Sequence, residues 1–148
     1  MKGLLAFILG ESRCALPVSE IQEILPAVML SPIPGQTLPL EGMLNLRGAM
    51  IPVLDLRSCL DLPQIRWSSE TRIIVVKTKE TRMGVVVDRV EDVVEVEERD
   101  QMAPLRESHP LVASVGTFEG KALTVIRPER LAESYQQSAP IGLAEPPN

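Results

Sequence analysis

Arg47 and Gly48 stand between two strand-like apolar runs, residues 43–46 and 49–54, and this arrangement constrains the fold more than any other stretch. Runs of that kind joined by two residues predict a tight β-hairpin in which Gly48 takes the positive φ, since it has no Cβ to clash. Asn45 is placed to serve the turn, its amide satisfying nearby backbone groups. Arg47 then projects into solvent from an aliphatic frame. A guanidinium so held suits a protein-binding edge, because it pairs well with carboxylates and carbonyls of a partner. It suits catalysis poorly, for no nucleophile or base accompanies it.

The rest of the chain follows the same pattern of short strands. Residues 4–9 are apolar on both faces and predict a central strand; Gly10-Glu11-Ser12 turns the chain, and residues 13–18 return. Residues 72–78 and 83–87 predict a second pair by β-branching. Residues 90–96 interleave valines with acids, in strict alternation only from Val94 onward, and suggest a bent or bulged strand, and residues 111–118 and 122–126 bracket a turn at Glu119-Gly120-Lys121. Helices are expected to be short. Ser19 precedes Gln22 by three, a capping-box pattern, with Ile21, Ile24 and Leu25 at helical spacing until Pro26 stops them. Asp55 is read as the cap of a turn or two reaching Cys59 or Leu60, and Pro128 as the first turn of a last helix over residues 129–136. Residues 28–30 suggest a short strand, Pro32, Pro34 and Pro39 an extended connection, 64–71 a surface linker and 99–110 a loop. The domain is expected over residues 1–136, with 137–148 a loose tail containing prolines. Many short strands punctuated by glycine and proline predict a β-barrel architecture rather than a parallel α/β sheet.

The composition narrows the function. With 148 residues the chain is one domain or two small interlocked subdomains able to bury a real core. Hydrophobic content of 45% and charged content of 24% fit a soluble globular protein. A net charge of -5 without basic clusters excludes a nucleic-acid surface, which needs cations to displace counterions. The aromatics are Phe7, Trp67, Phe118 and Tyr135, too few for a stacking platform or a proline-peptide groove. Cys14 and Cys59 form no Cys-x-x-Cys pair and read as reduced, buried thiols of a cytosolic protein. The apolar start is brief, is followed at once by Glu11 and Arg13, and reads as a strand rather than a signal peptide; no segment is long enough to insert in a bilayer. His109 is alone, and one histidine with two distant cysteines makes no zinc site. The acids Glu91, Asp92, Glu95, Glu97, Glu98 and Asp100 lack calcium-loop spacing and read as a solvated face; Asp88 reads as a local structural partner. Phosphate loops, nucleophile elbows and His-Glu-x-x-His are all missing, so no catalytic residue, metal or cofactor is expected.

The run Gly42-Met43-Leu44-Asn45-Leu46-Arg47-Gly48 leading into Pro52-Val53-Leu54-Asp55-Leu56-Arg57 closely resembles the signature of CheW-type adaptor domains. Ala15-Leu16-Pro17-Val18, Ile21-Gln22-Glu23-Ile24-Leu25 and Gly84-Val85-Val86-Val87-Asp88-Arg89-Val90 match in the same order, and the likeness spans about residues 5–131. Cys14 stands where relatives often carry an aromatic. The resemblance implies a mainly β fold of two SH3-like five-stranded β-barrel subdomains sharing a core, with short helices; the second barrel comes from the resemblance alone. It implies a cytoplasmic, non-enzymatic adaptor that bridges a chemoreceptor's cytoplasmic tip and the regulatory domain of a CheA-type histidine kinase, and that gathers at membrane receptor arrays through those partners. Arg47 occupies the position associated with receptor binding. Glu23 falls near the receptor groove between the barrels, with Val18 and Ile21 lining it. The apolar return strand Met50, Ile51 and Pro52, its proline suited to a sheet edge, is either the kinase-docking surface or core. Other readings stay open: the same fold as a scaffold in pilus-motility or surface-growth signalling or as a kinase-sequestering protein, or a small enzyme or ligand-binding barrel, which needs a deep polar pocket.

Overall fold

Ten strands and two short α-helices make up the regular structure of the described residues, which in this computed structural model are 2–79, 81–97 and 109–138, the side chains of 137 and 138 excepted. The strands are β1 (Lys2–Leu9), β2 (Ser12–Pro17), β3 (Ile21–Pro26), β4 (Leu40–Leu46), β5 (Ala49–Asp55), β6 (Arg72–Lys77), β7 (Arg82–Val87), β8 (Arg89–Val96), β9 (Val112–Phe118) and β10 (Lys121–Ile126), and the helices α1 (Leu56–Cys59) and α2 (Leu131–Ser138). They build two five-stranded sheets, β8-β1-β2-β10-β9 and β3-β6-β7-β5-β4. Both follow one plan: an antiparallel trio, a parallel step (β2 to β10, β7 to β5), then an antiparallel hairpin. No sequence repeat announces this shared plan. The architecture is the mainly β one expected and is compatible with an SH3-like fold, although neither sheet is closed into a barrel by strand pairing.

Each sheet curls around its own apolar cluster. Leu4, Ala15, Val94, Val96, Leu123 and Val125 fill the first, and Leu44, Ile51, Val53, Ile73, Val75 and Val86 the second. Between them lies a larger core holding Leu5, Phe7, Leu9 and Leu16 from the first sheet, Leu54, Ile74, Val76 and Val85 from the second, and Leu131 and Tyr135 from α2. The period-two alternation of strand side chains makes this possible, since odd and even residues of β1 feed different cores. In the second sheet the gap between edges is narrowed by one bridge, in which Ser31 and Met43 exchange backbone hydrogen bonds at 2.9 and 2.8 Å. Gly42 permits that approach: a Cβ there would stand 2.4 Å from the Ser31 carbonyl oxygen.

Three expectations need correction. The capping-box segment is not helical. Val18–Glu20 forms a 3-10 turn and residues 21–26 form β3, paired to β6 with Ile21, Glu23 and Leu25 turned partly inward. The stretch between Pro17 and Pro26 is too short to nucleate a helix, while β6 offers a full ladder of partners. Residues 28–30 are not a strand: Ala27–Met29 is a 3-10 turn that leaves Val28 85% exposed. The last helix begins later, a 3-10 turn at Pro128–Arg130 preceding α2. The Asp55 cap is borne out, its carboxylate accepting the Arg57 N–H at 3.2 Å. Of the expected loop and tail, residues 99–108 and 139–148 lie outside the described residues.

Candidate protein-docking site

The β4–β5 turn has the expected two residues but a different backbone. Arg47 has φ 50° and Gly48 φ 90°, so both central residues are left-handed, the turn type whose twist matches that of hairpin strands. For a residue with a side chain this costs roughly 1–2 kcal/mol. Asn45 offsets part of it, its Oδ1 accepting the Gly48 N–H at 2.9 Å.

From that turn the guanidinium reaches the opposite edge of the sheet. Arg47 Nη1 donates to Glu23 Oε2 and Nη2 to Glu23 Oε1, each at 3.1 Å, a two-pronged fork. β3 and the β4–β5 hairpin lie at opposite ends of the strand order, so the fork spans the same gap that the Ser31–Met43 bridge narrows. A bulge between Ile21 and Glu23 shifts the register where the carboxylate meets it. The Arg47 side chain remains 70% exposed and that of Glu23 27%. The cation is therefore oriented by its own chain without being withdrawn from solvent, and it still offers donors to a partner.

The other expected site residues divide. Val18 is exposed at the turn where the chain leaves the first sheet for the second, and Ile21 is half-buried against the core between sheets. Met50 is exposed beside the turn, opposite Asn45 in the hairpin ladder. Ile51 and Pro52 are not surface residues. Ile51 is fully buried in the second sheet's own cluster and Pro52 is buried too. β5 is an interior strand between β7 and β4, not an edge; its ladder to β7 begins at Val53, so the N–H that Pro52 lacks falls just short of it. Of that trio only Met50 can meet a partner. The pairing of Glu23 with Arg47 had no signal in local spacing, for the two are 24 residues apart.

Burial pushes the thiols of Cys14 and Cys59 up to about 12, and both are free. His109 Nε2 lies 3.4 Å from Asp61 Oδ2, and among the described residues no group of three or more His, Cys, Asp or Glu is placed to hold a metal. Glu91 of the acidic run lies on β8 and pairs with Arg13 at 3.0 Å. A cleft of about 790 Å³ at the end of the first sheet is lined by Ile8, Arg13, Arg89, Glu91, Lys121 and Thr124, but Arg13 and Arg89 both pair with Glu91 rather than converge on a free centre. No helix of the described residues is long and apolar enough to cross a membrane.

Residues 3–136 match the CheW-like domain model. The chain belongs to the CheW family. It is 28% identical to chemotaxis protein CheW of Bacillus subtilis (strain 168) over 143 residues, covering 93% of this chain and 92% of that protein. With chemotaxis protein CheW of Helicobacter pylori it shares 25% identity, across 86% of this chain and 79% of the relative. Its structure is similar to that of the scaffolding protein TtCheW from Thermoanaerobacter tengcongensis, with a TM-score of 0.81 and 27% identity over 89% of this chain and 92% of that one. In this CheW-like chain the turn holding Arg47 combines a left-handed backbone, a capping amide and an oriented cation.

Proposed function

We propose that this CheW-like chain is a non-enzymatic adaptor coupling a chemoreceptor's cytoplasmic tip to a CheA-type histidine kinase. The observation that carries the reading is the Arg47 guanidinium, held in a fork by Glu23 yet exposed. Such a cation loses little freedom on binding, and arginines of this kind are enriched among residues that dominate interfaces. The relatives named as chemotaxis proteins and the neighbour named as a scaffolding protein support the same role. The receptor-facing residues are Val18, Ile21, Glu23 and Arg47. The kinase-facing residue is Met50, with Ile51 and Pro52 as the rigid floor behind it. Chemistry has no part in the work: one rigid body that binds two partners raises their effective concentration and biases the kinase toward one of its states. The protein works in the cytoplasm, and its partners bring it to the receptor arrays.

The test is reconstitution. Mixed with a chemoreceptor cytoplasmic fragment and a CheA-type kinase from the same cell, the chain is expected to co-sediment with both and to make kinase autophosphorylation depend on the receptor fragment. Kinase activity that ignores the chain, with no co-sedimentation, would remove the proposal.

A further inference from the structure

Asp88 is the single residue between β7 of the second sheet and β8 of the first, so the chain changes sheets at that point. Its carboxylate is held by both sheets. Arg57 Nε donates to Oδ1 at 2.9 Å and Arg57 Nη2 to Oδ2 at 2.5 Å, while the Gly10 N–H donates to Oδ2 at 2.7 Å. Arg57 sits in α1, directly after β5 of the second sheet; Gly10 is in the β1–β2 turn of the first. The guanidinium also donates through Nη1 to the Pro63 carbonyl at 2.8 Å, and the Asp88 N–H donates to the Ile8 carbonyl at 3.1 Å. Both side chains are largely buried, 10% and 17% exposed. The β1–β2 turn rests on the guanidinium, since a Cβ at Gly10 would lie 3.3 Å from Arg57 Nη2.

The core between the sheets is apolar, and apolar attraction is not directional. That packing by itself sets no hydrogen-bond geometry between the sheets. A planar guanidinium gripping a carboxylate in two places accepts a narrow set of orientations. The other crossing, the Val18–Glu20 turn, has no side-chain hydrogen bond capping its start. We propose that Arg57 and Asp88 are positioning residues that fix the angle between the two sheets, holding the surface at Val18, Glu23 and Arg47 in a constant relation to the first sheet. Burial alone would push the Asp88 carboxyl up; the hydrogen bonds from Arg57 and Gly10 outweigh it and hold the group below its ordinary value, as a closed fork requires.

The experiment places one spin label on each sheet, at Lys77→Cys in β6 and Lys121→Cys in β10, both exposed, with the buried Cys14 and Cys59 left unlabelled. The parent is expected to give one narrow distance distribution. Arg57→Lys, which keeps the charge but loses the fork, and Asp88→Asn are each expected to at least double its width while thermal unfolding stays cooperative. A folded variant with the parental width overturns the proposal. If one variant fails to fold, the other decides; if both fail, the pair serves stability alone and the proposal is equally overturned. No partner is present, so a negative result leaves the adaptor reading untouched.

Discussion

The fork between Glu23 and Arg47 can be inverted, and the inversion separates two roles that a single substitution confounds. Exposed ion pairs contribute roughly 0.2–1 kcal/mol to stability, and an Arg47 side chain 70% exposed belongs at the low end of that range. Arg47→Glu removes the attraction and adds a repulsion of similar size, so the expected loss is at most about 2 kcal/mol. For a chain of this length that is a fall in Tm of less than about 8 °C. If Arg47 is an interface anchor, its loss costs about 2 kcal/mol or more of binding, roughly 30-fold in Kd. Titration calorimetry against a receptor-tip fragment measures one quantity, and thermal unfolding the other. The exchanged protein, Glu23→Arg with Arg47→Glu, restores an attractive pair of opposite sense. Its stability is expected to return to within about 0.5 kcal/mol of the parent, while binding stays at least 10-fold weak because the cation has moved to β3. Full recovery of binding in the exchanged protein would refute the reasoning, since the partner would then be sensing the closed gap and not the charge at residue 47. Parental binding by Arg47→Glu alone would refute it more simply.

Other expectations rest on other contacts. Gly42→Ala drives a methyl against the Ser31 carbonyl oxygen, at 2.4 Å before relaxation, and disrupts the two bonds of the Ser31–Met43 bridge; urea unfolding should show a loss of about 2–4 kcal/mol, and a midpoint within error of the parent would mean the bridge yields freely. The Asp88 carboxyl is held below its ordinary 3.8, so its stabilisation is complete above that pH and disappears as pH falls through the folded value; the urea midpoint of the parent should drop below about pH 4 more steeply than that of Asp88→Asn, and parallel curves would contradict the assignment. Thiols pushed to about 12 by burial should resist alkylation at neutral pH until the chain unfolds, so rapid labelling of the native protein would show that Cys14 or Cys59 is open to solvent.

Most strands were legible because their signals are local. β-branched runs gave β6 and β7, glycine-bearing turns gave the hairpins at Gly10, Gly48 and Gly120, and the loss of alternation before Val94 foretold the irregular β8. What escaped was non-local. Ile21, Ile24 and Leu25 satisfy helical spacing, but the segment is short and β6, some fifty residues later in the chain, offers it a ladder. Ile51 and Pro52 read as an edge until β7 is known to lie beside β5. The left-handed φ of Arg47 was hidden because glycine seemed sufficient to make the turn. The second sheet was expected only by resemblance, and its pairing plan repeats that of the first with no repeated sequence to betray it.

These failures and the candidate site share a cause. The second sheet is not closed by a strand ladder, and among the described residues its open side is spanned by the Ser31–Met43 backbone bridge, which Gly42 permits, and by the Glu23–Arg47 ion pair. Gly42 and Arg47 both lie in the Gly-x-x-Asn-Leu-Arg-Gly signature. A residue chosen only to bind a partner would tolerate a relaxed backbone, and one chosen only to close the sheet would gain most by being buried. Arg47 does neither: it occupies a strained turn, bonds across the gap and remains in solvent. A partner that contacts Arg47 therefore acts on the same pair that spans the sheet's open side.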